Sequence, residues 1–159
     1  MRLIPAGLGL AVCVVMLLSG CQTVQWPAGL DRITGGGMTD EEKIAVVLDD
    51  VRRGMESKRV YHVLSRVSKN YRDREGRNYD GLRDYLNTLM DNYKDIRITR
   101  TPPKIQVRDG YARVVESFGT RAESTNPTQY PPINLQGQMV ILMEKNGGEW
   151  QILEWGPVY

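Results

Sequence analysis

The spacing of apolar residues changes once along this chain, near residue 94, and that change limits the folds open to it. Residues 39–93 repeat apolar side chains at steps of three and four, which is the spacing of one helix face. Residues 96–155 alternate apolar and polar side chains instead, with tight-turn pairs at Asp109-Gly110 and Asn146-Gly147. Helices followed by strands that hairpins connect indicate an α+β domain with a mainly antiparallel sheet.

Three helices are predicted in the first part of the chain. A capping box at Thr39 and Glu42 begins the first helix, and we expect Gly54 to end or to loosen it. The second helix is expected over residues 57–68. These helices should pack together on one face of the sheet, because each has a single apolar stripe.

The third helix has the clearest stripe, and it is rich in tyrosine. It is expected to begin after Asn78 as its cap. Tyrosine hydroxyls need a polar partner or water, so we expect this stripe to face a partly wet surface or a cavity. Its tyrosines are therefore the candidate ligand-binding residues. The stripe consists of Tyr79, Leu82, Tyr85, Leu86, Leu89, Met90 and Tyr93.

The second part of the chain predicts a sheet of four to six strands. Two short strands flank Pro102-Pro103, since proline interrupts strand pairing. A proline-containing loop is expected over residues 121–134. The longer strands are expected over residues 111–120, 135–144 and 150–155.

The first twenty residues have the pattern of a secretion signal. Arg2 precedes an apolar run over residues 3–18, which ends in Leu-Ser-Gly-Cys at residues 18–21. This ending resembles a bacterial lipobox. The resemblance implies cleavage between Gly20 and Cys21 and acylation of the Cys21 thiol, as in palmitate-bearing lipoproteins. The alternative is an uncleaved anchor helix, but the run is shorter than the roughly 20 residues that span a bilayer.

A lipoprotein signal also predicts where the protein resides. Residues 21–38 form a lipidated, glycine-containing tether, and residues 39–159 form the folded domain. By resemblance to enterobacterial sorting, Gln22 after the cysteine favours the periplasmic face of the outer membrane. The membrane contact is expected through the N-terminal lipid. Removal of Cys13 and acylation of Cys21 leave no free thiol, which excludes cysteine catalysis and thiolate metal sites.

Composition argues against several other classes of function. A formal net charge of +2 gives no electrostatic basis for nucleic-acid binding. The sole histidine, His62, has Lys58, Arg59 and Arg66 as helical neighbours, and we interpret it as a solvated side chain. We expect no metal and no cofactor. The sequence has no signal for an oligomeric state.

The domain pattern resembles the nuclear transport factor 2-like fold, a cone of ketosteroid-isomerase type. Three helices, the segment Tyr71-Arg72-Asp73 followed by Gly76, and two final strands at residues 140–145 and 149–155 support the resemblance. It implies a bent sheet around the helices, often with a pocket. This fold includes isomerases, dehydratases, cyclases and ligand binders, so it does not determine a function.

The resemblance to isomerases suggests a carboxylate base and a tyrosine donor. Asp73 and Glu116 are the candidate bases, and Tyr85 and Tyr111 are the candidate donors. Three neighbouring arginines give Asp73 a simpler interpretation, as an ion-paired turn carboxylate.

Glu116 alternates with inward-facing apolar residues, so we expect it to face inward too. It has a simple interpretation as a salt-bridge partner of Arg113 or Arg121.

Three hypotheses of function remain. The first is a non-catalytic, lipid-anchored module that binds a small ligand or an envelope protein. The second is an isomerase- or dehydratase-like enzyme, and the third is a structural component of the envelope. We favour the first, because no convincing catalytic constellation is visible.

Overall fold

A computed structural model describes residues 37–157, and it confirms the α+β order of elements. The signal segment, the cleavage site at Gly20 and Cys21, and the tether up to Gly36 lie outside the described residues. The described elements are α1 (Asp40–Glu56), α2 (Val60–Leu64), α3 (Tyr79–Asn92), β1 (Tyr93–Arg100), β2 (Lys104–Arg108), β3 (Tyr111–Ser124), β4 (Ile133–Asn146) and β5 (Glu149–Pro157).

The predicted capping box begins α1. The Thr39 hydroxyl accepts a hydrogen bond from the Glu42 backbone, and the Glu42 carboxylate accepts one from the Thr39 backbone at 2.8 Å. The helix does not end at Gly54 but continues to Glu56. Gly54 instead allows close packing of α2, because a Cβ there would lie 2.8 Å from Val63 Cγ2.

Helix α2 is shorter than the predicted range of residues 57–68, and α3 ends one residue before the predicted stripe does. After α2 the chain runs along the edge of the sheet, where the Ser68 and Arg72 amides donate to β5 carbonyls at 2.9 and 3.0 Å. These bonds satisfy backbone groups that a longer helix would have satisfied internally, and they cover the edge of β5. Tyr93, predicted on the α3 stripe, has extended backbone angles and begins β1.

The five strands form one antiparallel sheet in the order β1-β3-β4-β5, and β2 pairs with the other half of β3. The Asp109-Gly110 turn has positive φ at both residues, as the predicted hairpin requires. The loop predicted over residues 121–134 is shorter, because β3 and β4 pair as far as Ala122 and Ile133.

The core lies between the helices and the concave face of the sheet. Alternation along β3 directs Ala112, Val114 and Glu116 to this face, and all three are buried. Trp150 is also buried, and its indole donates to Asp40 at 3.0 Å, which links β5 to the start of α1. At the far end of the sheet Leu135 is 48% exposed, so the apolar face is less completely covered there.

Candidate functional site: a cavity with two charged clusters

A cavity of about 490 Å³ lies between the helices and the concave face of the sheet. Its volume falls within the range of small-molecule sites. Most of its lining is apolar and comes from every layer of the domain, including Val51, Leu86, Leu89, Phe118, Met139 and Trp155. Apolar ligands would therefore find contacts on all sides.

An ion pair in the sheet forms the first charged cluster, the Arg100–Glu116 pair. Arg100 Nε lies 3.0 and 2.9 Å from the two Glu116 oxygens, and Arg100 Nη2 lies 2.6 Å from Oε2. The Glu116 side chain is 3% exposed and that of Arg100 is 14% exposed. Both residues line the cavity, so a bidentate pair lies in an otherwise apolar wall.

The inward position of Glu116 was predicted, but its predicted partners were wrong. Arg113 and Arg121 are exposed, because their odd-numbered positions on β3 face away from Glu116. Arg100 comes instead from β1, where it pairs in register with Phe118, two residues along β3 from Glu116. The partner thus depends on strand register, which the local sequence does not specify.

Arg52 of helix α1 also lines the cavity, and it is held by two carboxylates of the same helix. Its guanidinium donates to Asp49 at 2.9 and 2.7 Å and to Glu56 at 2.6 Å. The hydrogen bond from Arg52 holds the pKa of Asp49 below its usual value. The second oxygen of Glu56 accepts from the Ile98 backbone at 2.9 Å, which ties α1 to β1.

The segment before α3 forms the second charged cluster, the Asp73 cluster of Tyr71, Asp73 and Arg77. Arg77 Nε lies 2.6 Å from Asp73 Oδ2, and the Arg77 backbone amide donates to Oδ1 at 2.8 Å. The Tyr71 hydroxyl donates to Oδ2 at 3.2 Å. The guanidinium of Arg77 also lies over the Tyr85 ring, 4.4 Å from its centroid.

These contacts control protonation in the Asp73 cluster. Burial acts to raise the pKa of Asp73, but the side-chain and backbone hydrogen bonds from Arg77 outweigh it, so the pKa lies below its ordinary value of 3.8. Burial, reinforced by the charge of Asp73, raises the pKa of the Tyr71 hydroxyl. At neutral pH the carboxylate is therefore ionised and the phenol is protonated.

The candidate tyrosines lie in different places. Tyr85 lines the cavity and is 46% exposed, whereas Tyr111 is 58% exposed and does not line it. Tyr79 lies under the Lys69 ammonium, and the Tyr93 hydroxyl donates to the Pro131 carbonyl at 3.1 Å. The structure thus places Tyr85 in the cavity wall and does not bring Tyr111 to Glu116.

Sequence reasoning did not identify several of the polar residues that line the cavity, among them Arg52, Tyr71 and Arg100. Arg52 has a detectable signal, because Asp49 and Glu56 are at helical spacing from it. Arg100 has no such signal, since its partner lies on another strand. His62 is exposed, in agreement with its interpretation as a solvated side chain.

Comparisons with known proteins bear on the fold alone. No family model matches the sequence, and no curated protein matches it. Among solved structures, a protein from Novosphingobium aromaticivorans, provisionally named a scytalone dehydratase, superposes with a TM-score of 0.65 at 15% identity, covering 77% of this chain and 89% of that one.

Two further structures give the same result. A provisionally named dehydratase of the nuclear transport factor 2-like family from Streptomyces avermitilis has a TM-score of 0.63 at 12% identity, covering 76% of this chain and 96% of its own. A nuclear transport factor 2-like superfamily protein from Salmonella enterica has a TM-score of 0.63 at 14% identity, covering 75% and 92%. The chain therefore has the nuclear transport factor 2-like fold.

The described residues also bear on membrane crossing. Within residues 37–157, each helix is too short or too polar to cross a bilayer.

Proposed function

We propose that this chain is a lipid-anchored protein of the outer-membrane periplasmic face, and that its cavity binds a small, mainly apolar ligand without transforming it. One observation carries the binding proposal. The cavity is large and apolar, yet the buried carboxylate in its wall, Glu116, and the one behind Arg77, Asp73, are each bound by an arginine.

Carboxylates that are ion-paired with arginines suit a binding site better than a site of proton transfer. A general base works best when its pKa lies near the working pH and its lone pair can reach the substrate. The pKa of Asp73 is lowered, and both of its oxygens accept hydrogen bonds from Arg77. Both Glu116 oxygens contact Arg100. These groups stabilise the cavity wall and are poorly placed to remove a proton.

Ligand binding is tested with N-phenyl-1-naphthylamine, a neutral apolar fluorophore. We expect the wild-type chain to bind it with a saturable rise in fluorescence. Met139→Trp should block binding, because Met139 is a half-buried residue of the cavity wall.

The matched control is Val140→Trp. Val140 is the next residue on β4 and pairs with Val115, so its side chain lies on the opposite face of the sheet. This variant should bind the fluorophore as the wild type does. Absence of binding by the wild type, or equal loss in both variants, would contradict the proposed cavity site.

The lipid anchor has its own test. Mass spectrometry of the protein from bacterial membranes should show an acylated N-terminal Cys21, and Cys21→Ser should lose the modification and the membrane association. Normal processing and membrane association of Cys21→Ser would overturn the anchor while leaving the cavity site intact.

One observation favours a second candidate function, a dehydratase- or isomerase-like enzyme. The Tyr71 hydroxyl and Asp73 form a buried pair at 3.2 Å beside the cavity. An enzyme of this type would remove a proton next to a carbonyl group. Deuterium incorporation into 2-tetralone tests this candidate, and we expect the rate with protein to equal the rate without it. Exchange that Asp73→Asn abolishes would support the enzyme instead.

A further inference from the structure

We infer that the cavity ligand is an apolar molecule bearing one carboxylate group, and that Arg100 binds this carboxylate. The inference rests on the proposed function, since it names the chemical class of ligand for the same cavity. Its starting point is the unequal hydrogen bonding of the Arg100–Glu116 pair.

In the Arg100–Glu116 pair, the unused hydrogen-bond donors belong to the arginine. A guanidinium has more N–H groups than one carboxylate accepts in a bidentate pair. Nε and Nη2 of Arg100 bind Glu116, whereas Nη1 makes no hydrogen bond within residues 37–157. The three contacts to Glu116 occupy most of its acceptor positions. A ligand that reaches the pair therefore meets free donors.

The exposure of the two side chains also favours Arg100 as the group that a ligand meets. The Arg100 side chain is 14% exposed, against 3% for Glu116, so the accessible part of the pair belongs mainly to Arg100. Arg100 lines the cavity, and its charge also contributes to the lowered pKa of Asp49. At this point of the wall a ligand therefore meets the arginine rather than the carboxylate.

The other two arginines of the cavity wall are already paired, so we assign the head group to Arg100. Arg52 is bound by Asp49 and Glu56, and Arg77 by Asp73 and Glu75. Charge-assisted hydrogen bonds to a carboxylate are stronger than those to a neutral oxygen, and a largely apolar wall strengthens them further. A cationic head group would meet guanidinium groups. The apolar body of the ligand would contact side chains such as Leu86 and Met139.

Three molecules with a twelve-carbon chain and different head groups test the inference: dodecanoate and dodecyltrimethylammonium below their micellar concentrations, and dodecanol below its solubility limit. Displacement of N-phenyl-1-naphthylamine measures their affinity for the full chain. We expect dodecanoate to bind about tenfold more tightly than dodecanol, as one charge-assisted hydrogen bond predicts. The ammonium compound should bind most weakly.

The matched variant is Arg100→Leu/Glu116→Leu, which removes both charges together and leaves neither partner unpaired. It should lose the preference for dodecanoate, so that dodecanoate and dodecanol bind with about equal affinity. A preference that persists in this variant would overturn the role of Arg100.

A second measurement does not depend on a variant that folds. In the wild-type protein, the Arg100 Nε–H resonance should shift on addition of dodecanoate and stay unchanged with dodecanol. Equal affinity for dodecanoate and dodecanol, or tighter binding of the ammonium compound, would overturn the inference but leave the proposed cavity site. Failure of all three compounds and of the fluorophore would instead contradict the proposed function, and the inference with it.

Discussion

The two charged clusters of the cavity wall are built differently. Arg100 and Glu116 come from neighbouring strands and bind each other through side chains alone. Asp73 and Arg77 lie in one segment before α3, and the Asp73 carboxylate binds the Arg77 backbone as well as its side chain. The first cluster joins two strands of a sheet that backbone pairing already holds, whereas the second fixes the conformation of an irregular segment.

This difference separates a ligand site from a structural one. In the Asp73 cluster, the carboxylate satisfies groups of the protein itself, including the Tyr71 hydroxyl. In the Arg100–Glu116 pair, both charged partners line the cavity, whereas Asp73 does not line it. We therefore assign ligand recognition to the pair and stabilisation of the fold to the Asp73 cluster.

The largest expected effect comes from breaking the Arg100–Glu116 pair on one side. Arg100→Leu should lower the free energy of unfolding by about 3 kcal/mol, because it leaves a buried carboxylate without its partner. Urea unfolding followed by tryptophan fluorescence measures the change. Glu116→Leu should cost less, since the more exposed Arg100 can reach water in the cavity.

The double variant Arg100→Leu/Glu116→Leu is the control for this prediction. It should be near wild type in stability, because an apolar pair of similar volume avoids the desolvation of two charges. A double variant as unstable as Arg100→Leu would show that the pair is required for the fold, and the comparison between the two clusters would fail.

A smaller loss is expected in the Asp73 cluster. Asp73→Asn should lower the free energy of unfolding by about 2 kcal/mol, because it removes the charge from the hydrogen bonds with Arg77. The same urea experiment measures it. A loss below about 0.5 kcal/mol, the size of an exposed ion pair, would contradict the structural role of this carboxylate.

The pH dependence of the stability loss in Asp73→Asn gives a second test of the structural role of the Asp73 carboxylate. The pKa of Asp73 is lower in the folded state than its ordinary value of 3.8, so the ionised group stabilises the fold above that value. The contribution disappears as the pH falls through 3.8 towards the folded-state pKa. The stability difference between wild type and Asp73→Asn should therefore shrink from pH 6 to pH 3, and a difference independent of pH would contradict the prediction.

The smallest effect is expected for Tyr71→Phe. This change removes one buried hydrogen bond of 3.2 Å to Asp73 and should cost about 1 kcal/mol. Thermal unfolding at pH 7 measures it. No change in stability would show that the hydroxyl contributes nothing to the cluster, whereas a loss above 3 kcal/mol would make Tyr71 more important than Asp73.

The sequence predicts what local spacing determines and misses what strand register determines. The capping box at Thr39, the hairpin at Asp109 and the inward face of Glu116 all depend on residues close in sequence, and all three are confirmed. The partner of Glu116 was missed, because Arg100 is 16 residues away on another strand.

The second helix shows the same limit. Its apolar spacing continues past Leu64, but the backbone after that residue pairs with β5 instead. A competing strand edge decides where the helix ends, and nothing near residue 65 in the sequence indicates that edge. Local periodicity is therefore least reliable where a helix borders an unpaired strand.

The central claim is that one cluster recognises the ligand and the other holds the fold. Its most direct test is the ratio of dodecanoate to dodecanol affinity, measured by calorimetry in Asp73→Asn and in Arg100→Leu/Glu116→Leu under conditions where both are folded. The ratio should stay near that of the wild type in Asp73→Asn and fall to about one in the double variant. A ratio that falls in Asp73→Asn and persists in the double variant would contradict the claim.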